Sequence, residues 1–323
     1  MRGPAAAGIE RAGATGPAGF AGTFGANELF GHEGNDSLVG YAGDDILHGG
    51  SGDDILNAGA GADRMYGGEG SDRYYVDDPG DQIFEPAAAG DDVVGAAFSY
   101  RLAPGIDIER LEPITLTSTA PIDFTGNEFG NYVIGNNGQN ILDGGAGADV
   151  LEGLGGQDFF AFTTALGNGN IDRITDFLSG FDRMMLDNSV FTGLTPGTLF
   201  ASQFAVGQQA QDADDRIIYN PATGALLFDA DGTGSGAAVQ FAFVGANLNI
   251  TASDFLVVSN RAGGSGAQET GGASSAPDNS QRATLGFEDG AYQAGEGLNA
   301  AFGPPALAAL HDFSPPATDY ILA

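Results

Sequence analysis

Apolar and acidic positions recur along the chain with a fixed period of nine residues. From residue 27 to residue 81, every ninth residue is an acid or its amide, and an apolar residue follows two places later. The polar positions are Asn27, Asp36, Asp45, Asp54, Asp63, Asp72 and Asp81, with partners Leu29, Leu38, Leu47, Leu56, Met65, Tyr74 and Ile83. A second series pairs Asn131, Asn140, Asp149 and Asp158 with Val133, Leu142, Leu151 and Phe160. So regular a period predicts repeats that stack on their neighbours.

Each nonapeptide divides into a glycine-rich turn and a short strand. Glycine suits the turn because several positions there need φ > 0, which a Cβ resists. Side chains alternate between the two faces of a strand, so its apolar residue points inward. Two nonapeptides form one coil, and residues eighteen apart therefore stack, for example Asp36 with Asp54 and Asp45 with Asp63. The pattern predicts an all-β fold with a parallel β-roll.

Stacked turns bring carboxylates and backbone carbonyls together in an oxygen-only pocket, which suits Ca²⁺. The nonapeptide G-G-x-G-x-D-x-U-x is itself a known calcium-binding repeat. The predicted ligands are Asp36, Asp45, Asp54, Asp63, Asp72, Asp81, Asn131, Asn140, Asp149 and Asp158, with the turn glycines Gly49, Gly50, Gly52, Gly67, Gly68, Gly70, Gly144, Gly145 and Gly147. Sites that contain an asparagine should be weaker, since an amide brings no charge. We expect about five ions.

Calcium should control folding, because without the ion the same geometry stacks like charges. At calcium about twenty times Kd, linkage contributes ~1.8 kcal/mol per site. Five such sites give roughly 9 kcal/mol, comparable with the net stability of an ordinary domain. The sequence thus predicts a chain that is largely unfolded inside a cell and folded outside it. A glycine-rich linker would have no reason to keep the acids in phase, and a calcium-free solenoid is the other alternative.

Composition narrows the classes of partner. The formal net charge is -32, all eleven cationic residues are arginine, and cysteine is absent. Such an acidic chain attracts cations and repels nucleic acid and anionic membranes. It has no apolar run of eighteen residues, so we predict no transmembrane segment. A cleaved secretory signal is not predicted at the N-terminus either.

The period and its interruptions divide the chain into six segments. We predict a disordered N-terminus (1–21), a first β-roll (22–90), a strand-rich bridge between rolls (91–125), a second β-roll (126–161), an antiparallel β cap (162–259) and a disordered tail (260–323). A cap is expected because the last coil of a solenoid otherwise exposes its core. The turn-like segment 229–234 starts as an EF-hand loop does. A hairpin is the favoured interpretation and an accessory calcium site the alternative.

The repeats resemble the RTX (repeats-in-toxin) calcium-binding module. Residues 169–177 (GNIDRITDF), 212–220 (DADDRIIYN) and 227–234 (LFDADGTG) resemble the C-terminal region of serralysin-type secreted metalloproteases. The resemblance implies calcium shared between adjacent coils and export through a type I secretion apparatus. It also implies an uncleaved C-terminal export signal that ends in an acid and hydrophobic residues. The candidates are residues 254–258 and, favoured, residues 319–323.

No catalytic motif accompanies this resemblance. A zinc helix needs paired histidines, and the chain has only His32, His48 and His311. It lacks the lysine of a P-loop and the G-x-S-x-G of a nucleophile elbow. The paired carboxylates of a glycosidase have no sequence motif by which that activity could be excluded, but calcium binding already accounts for the acids. We therefore expect no enzyme activity.

The leading hypothesis is a secreted, non-catalytic scaffold, with the cell surface or matrix as one setting. The alternative is the folding-and-export portion of a larger RTX exoenzyme, such as a serralysin-type protease without its catalytic domain. An in-frame zinc-helix domain upstream would favour the alternative.

Overall fold

The computed structural model describes residues 8–87 and 90–259 of the chain. The disorder predicted for residues 1–7 and 260–323, and the export signal predicted at 319–323, lie outside the described residues.

The main body is a parallel β-solenoid of about eight turns. Its strands, in chain order, are β1 (Gly8–Thr15), β2 (Gly19–Ala21), β3 (Asn27–Glu33), β4 (Ser37–Val39), β5 (Ile46–Ser51), β6 (Ile55–Asn57), β7 (Arg64–Glu69), β8 (Arg73–Val76), β9 (Gln82–Phe84), β10 (Val93–Ala96), β11 (Tyr100–Arg101), β12 (Arg110–Pro113), β13 (Asp123–Thr125), β14 (Tyr132–Ile134), β15 (Ile141–Asp143), β16 (Val150–Glu152), β17 (Phe159–Phe162), β18 (Asp172–Ile174) and β19 (Arg183–Asp187).

The C-terminal end of the solenoid adds six strands and two 3-10 helices. The strands are β20 (Gly197–Thr198), β21 (Phe204–Val206), β22 (Ile217–Asn220), β23 (Ala225–Phe228), β24 (Val239–Phe243) and β25 (Phe255–Val258). The helices span Ala201–Gln203 and Ala252–Asp254. None of the helices in the described ranges is long and apolar enough to cross a membrane.

Three sheets form the faces of the solenoid. Odd-numbered strands β1 to β9 make a five-stranded sheet, and β11 to β19 continue as a seven-stranded sheet with β25 and β20. Even-numbered strands β2 to β18 run without a break through a thirteen-stranded sheet that ends β24-β23-β22-β21. The predicted eighteen-residue stacking is confirmed, since Leu38 pairs with Leu56 and Leu29 with Leu47.

The inner row of apolar side chains forms the core, as predicted. Every apolar partner of both series is at most 4% exposed to solvent, and the only one above zero is Ile83. One strand of three residues cannot bury itself, so each coil depends on the coils beside it.

The predicted bridge continues the solenoid and does not connect separate rolls. Strand β10 pairs in parallel with β8 and β12, and β12 pairs with β14. The coils here are irregular in length, which removes the nine-residue period while preserving the strand pairing. The two arrays therefore share one sheet.

The antiparallel cap begins later than predicted. Strands β18 and β19 still pair in parallel with β16 and β17. Antiparallel pairing appears in β22–β23–β24 and between β20 and β25, while β21 pairs in parallel with β22, so the end is a mixed sheet. Residues 229–234 lie in the connection between antiparallel strands β23 and β24, which confirms the hairpin.

The disorder predicted for residues 8–21 is wrong. Strand β1 pairs in parallel with β3, and β2 pairs with β4. Backbone pairing at a sheet edge needs no apolar period. A segment rich in glycine and alanine can therefore form an edge strand that the sequence pattern does not predict.

A row of stacked aromatic rings lines the outside of the first sheet. The ring centroids of Phe30 and His48 are 4.6 Å apart, those of His48 and Tyr66 4.8 Å, and those of Tyr66 and Phe84 4.4 Å. Each residue directly follows a buried core residue, so the period that builds the core also aligns these rings.

Replacing Tyr66 with serine should destabilise the calcium-loaded chain, because it removes two of the three stacked pairs. We expect a loss of about 1–3 kcal/mol, since each pair is worth roughly 0.5–1.5 kcal/mol. Urea unfolding at saturating calcium measures it. Arg64→Ser, an exposed change on the same strand, is the control and should stay within about 0.5 kcal/mol. Equal effects of the two changes would contradict a stabilising role for the stack.

Candidate metal centre

Acidic side chains form a hydrogen-bonded ladder along one flank of the solenoid. The Asp36 amide donates to Asp54 Oδ1 at 2.7 Å, and the Asp54 amide donates to Asp72 Oδ1 at 2.8 Å. The Ala18 amide begins the ladder by donating to Asp36 Oδ1 at 2.8 Å. Each carboxylate is thus fixed by the backbone of the preceding coil.

The opposite flank repeats the arrangement with the other half of the predicted set. The Asn27 amide donates to Asp45 Oδ1 and the Asp45 amide to Asp63 Oδ1, both at 2.6 Å. The Asp63 amide donates to Asp81 Oδ1 at 3.2 Å. The eighteen-residue stacking of the aspartates is therefore as predicted, and the two stacks lie on two flanks of one roll.

One oxygen of most of these carboxylates is buried without a hydrogen-bond partner. Within the described residues, the Oδ2 atoms concerned belong to Asp36, Asp45, Asp54, Asp63, Asp72 and Asp149. A buried carboxylate oxygen with no partner is costly, so its environment calls for a cation. Asp81 differs, because its Oδ2 accepts hydrogen bonds from the Asp77 and Asp78 amides at 3.2 Å.

A glycine stands five residues before most of these aspartates and leaves room beside the unpaired oxygen; Ala58 holds that place before Asp63. A Cβ on Gly49 would clash with Asp54 Oδ2 and would lie 2.6 Å from the carbonyl oxygen of Gly67. The same place at Gly31 is bounded by Asp36 Oδ2 and the carbonyl oxygen of Gly49. A carboxylate and a turn carbonyl of the next coil thus face the same point. These hard oxygen donors fit Ca²⁺.

The remaining predicted glycines allow the turns to stack closely. Gly50 and Gly68 have φ of 120° and 115°, and a Cβ on either would strike the carbonyl of the preceding coil. The same positive φ and close approach to a carbonyl are found at Gly52, Gly70, Gly145 and Gly147. Gly144 lies beside Asp149 Oδ2 as Gly49 lies beside Asp54 Oδ2.

The two asparagines of the second array satisfy their polar groups within the protein. Asn131 Nδ2 donates to the Ile108 carbonyl at 2.6 Å, and its Oδ1 accepts from the Asn127 amide at 2.9 Å. Asn140 Nδ2 donates to the Ile122 carbonyl at 2.7 Å. The backbone amide of Asn131 still donates to Asp149 Oδ1 at 2.7 Å, and that of Asn140 donates to Asp158 Oδ1 at 2.9 Å. Both asparagines thus position the neighbouring acids.

Four acids of the ladders are not predicted by the nine-residue period. The Asp72 amide donates to Asp92 Oδ1 at 2.8 Å, and the Asp92 amide donates to Glu109 Oε2 at 2.6 Å. Asp172 and Asp182 likewise accept from the amides of Asp149 and Asp158. The intervals are 20, 17, 23 and 24 residues, not eighteen. The sequence still contains a local pattern that could have identified them, because each acid stands two residues before a buried apolar residue: Val94, Leu111, Ile174 and Met184.

A family model of the RTX calcium-binding nonapeptide repeat (four copies) matches residues 21–56, 48–78 and 125–160. The chain carries RTX calcium-binding repeats. These ranges cover the acids and glycine turns of both arrays except Asp81. None of the curated proteins compared with the chain gives a significant match.

Burial of the RTX aspartates raises their pKa values. It takes the pKa of Asp54 to about 6 and that of Asp63 to about 7. Hydrogen bonds from the backbone oppose the rise, and the negative charge of the neighbouring coil adds to it: Asp36 acts on Asp54, and Asp45 on Asp63. Burial raises the pKa of Asp81 further, to about 8. Stacked carboxylates without an ion therefore keep their protons to a higher pH than an ordinary aspartate does.

Acid should favour the folded RTX chain when calcium is absent. The ladder pKa values in the fold, about 6 to 8 at Asp54, Asp63 and Asp81, exceed the ordinary aspartate pKa of 3.8. The folded state therefore binds more protons, and its stability falls as pH rises through that window. Calcium-stripped protein should give a stronger strand signal by circular dichroism at pH 5 than at pH 8.

Calcium should reverse the dependence of folded-state stability on pH, because the ion competes with protons for the same carboxylates. The calcium midpoint should therefore rise as pH falls from 8 to 5. A stripped chain that is more structured at pH 8 than at pH 5 would rule out proton uptake by the folded ladder.

Proposed function

We propose that the chain is an exported protein whose repeats fold on binding calcium outside the producing cell, and that the folded solenoid is a non-catalytic scaffold. The observation that carries this proposal is the row of buried, unpaired carboxylate oxygens on both flanks. Neighbouring coils present these like charges to one another, so the roll needs a cation at each position to be stable. Low intracellular calcium would leave the chain unfolded, which is the state that a narrow export channel requires.

The same oxygens support the proposed number of ions. The first array offers five unpaired Oδ2 atoms, on Asp36, Asp45, Asp54, Asp63 and Asp72, and Asp149 offers another in the second array. Those of Asp36, Asp45 and Asp54 face a point that a turn carbonyl oxygen of the next coil also faces. We propose up to five ions in the first array and one further site at Asp149, close to the about five predicted for the whole chain.

Export is assigned to a type I secretion apparatus and its signal to residues 319–323. The competing candidate, residues 254–258, forms part of the folded core. Phe255 is fully buried and Val257 is 2% exposed, both in β25, which pairs with β19. The Asp254 carboxylate accepts hydrogen bonds from the amides of Gly180 and Thr251, both at 2.7 Å. A structural role explains this segment, which supports the terminal one as the signal.

The export proposal is tested by expressing the full chain in cells with and without a type I exporter. The fraction of the protein in the medium is the readout. Deletion of residues 319–323 should retain the chain in cells, whereas deletion of residues 271–275, of equal length, should not. Equal release of the 319–323 deletion, or equal release from cells lacking the exporter, would exclude this route.

A further inference from the structure

The first array ends with a change of residue at its glycine position. Gly31, Gly49 and Gly67 stand eighteen residues apart, and the next residue at that interval is Glu85. At Gly31 and Gly49 a Cβ would meet a carboxylate oxygen and the carbonyl oxygen of the next coil. At Gly67 it would meet three side-chain oxygens, the Tyr74 hydroxyl, Asp72 Oδ2 and Glu85 Oε2. A glutamate side-chain oxygen therefore lies near the point that a backbone carbonyl oxygen faces at Gly31 and Gly49.

Three carboxylates converge at this point. One oxygen each from Asp72, Glu85 and Asp92 lies within 4.8 Å of the other two. All three residues are buried, with exposures of 1%, 7% and 1%. Glu85 directly follows strand β9 and Asp92 directly precedes strand β10, so the cluster joins the two ends of the connection between them.

The protein fixes one oxygen of each carboxylate and leaves others unpaired. Asp72 Oδ1 accepts from the Asp54 amide and Asp92 Oδ1 from the Asp72 amide, both at 2.8 Å. Glu85 Oε2 accepts from the Tyr74 hydroxyl. Asp72 Oδ2 and Glu85 Oε1 are buried without a hydrogen-bond partner. The nearby guanidinium of Arg73 is directed to Glu112, at 2.9 Å, and so leaves the cluster's charge unopposed.

We propose that Asp72, Glu85 and Asp92 form a cation site that terminates the first array and differs in kind from the repeat sites. Three carboxylates and a phenolic oxygen suit a hard cation such as Ca²⁺. The site carries more negative charge than a repeat site built from one carboxylate and turn carbonyls, so it should bind more tightly and fill first. The proposal rests on the calcium-binding repeats but not on export or on a scaffold role.

Terbium, a hard trivalent ion of calcium-like coordination, is the probe for this site. The chain has no tryptophan, and Tyr74 stands against the cluster, so emission excited through tyrosine should report ions bound here. The full chain is first folded in calcium, and terbium is then titrated in. We expect one tight event, about tenfold tighter than the repeat sites.

Glu85→Gln should abolish the tight event, and Glu69→Gln, at an exposed glutamate of the same array, should leave it intact. Calorimetric calcium titration should likewise show one fewer tight ion in Glu85→Gln. If that variant fails to fold at saturating calcium, Glu85→Gly restores the repeat residue and should fold with a weak site. Unchanged tight binding in either folded Glu85 variant would overturn the proposal. The result does not depend on export, so a failed secretion experiment would leave this test intact.

Discussion

Replacing Asp54 and Asp63 together with asparagine should raise the calcium concentration needed for folding and destabilise the loaded chain by about 4 kcal/mol, the linkage energy of two sites. Asparagine can still accept the hydrogen bond that Oδ1 receives from the preceding coil. It places an uncharged amide group where the unpaired Oδ2 now stands. The change therefore removes the metal ligand while keeping the ladder. Circular dichroism during calcium titration, followed by urea unfolding at fixed calcium, measures both effects.

The control for this experiment lies in turns of the same array. Asp44 and Asp53 directly precede Asp45 and Asp54, are exposed, and accept backbone hydrogen bonds through Oδ1. Their double replacement by asparagine removes the same charge. It should move the midpoint only slightly, because exposed charges are well screened. Equal shifts in the two double variants would show that net charge, and not ligation, sets the calcium requirement.

Gly49→Ala should be nearly as damaging although it adds a single methyl group. The new Cβ would occupy the point that Asp54 Oδ2 and the Gly67 carbonyl both face. We expect a loss of roughly 3–5 kcal/mol, since overpacking costs about 1–3 kcal/mol and the lost site a further ~1.8 kcal/mol. Thermal unfolding with calcium present is the measurement. Gly16→Ala, which has no heavy atom within 4 Å of its added Cβ, should melt close to the unchanged protein. A Gly49→Ala chain that melts with that control would contradict the need for glycine at this place, which Ala58 fills before Asp63.

The nine-residue period predicted the central part of the fold because one interval sets several features. It fixes which residue points inward, which residues stack and where the acids lie. Leu38 pairs with Leu56 as the period requires. The Asp36 amide likewise donates to Asp54 Oδ1.

The period could not reveal coils of other lengths. Asp92 and Glu109 belong to the same ladder as Asp72, but loops change the interval. What the coils share is local: an acid two residues before a buried apolar residue. Searching for that pair without fixing the spacing would have found both.

Two other features depend on contacts that no local pattern encodes. The role of Glu85 is set by the positions of Asp72 and Tyr74 in the coil before it. Strand β1 forms by backbone pairing with β3. Such features need the three-dimensional register, which sequence spacing gives only where the repeat is regular.

Calcium titration of the stripped full-length chain, followed by far-ultraviolet circular dichroism, tests the central claim most directly. We predict little strand signal at submicromolar calcium and a cooperative gain as calcium rises to a few millimolar. Magnesium at the same concentrations should substitute poorly, because it demands a tighter octahedral site. A strand signal that is already complete without calcium, and unchanged by its addition, would contradict calcium-dependent folding.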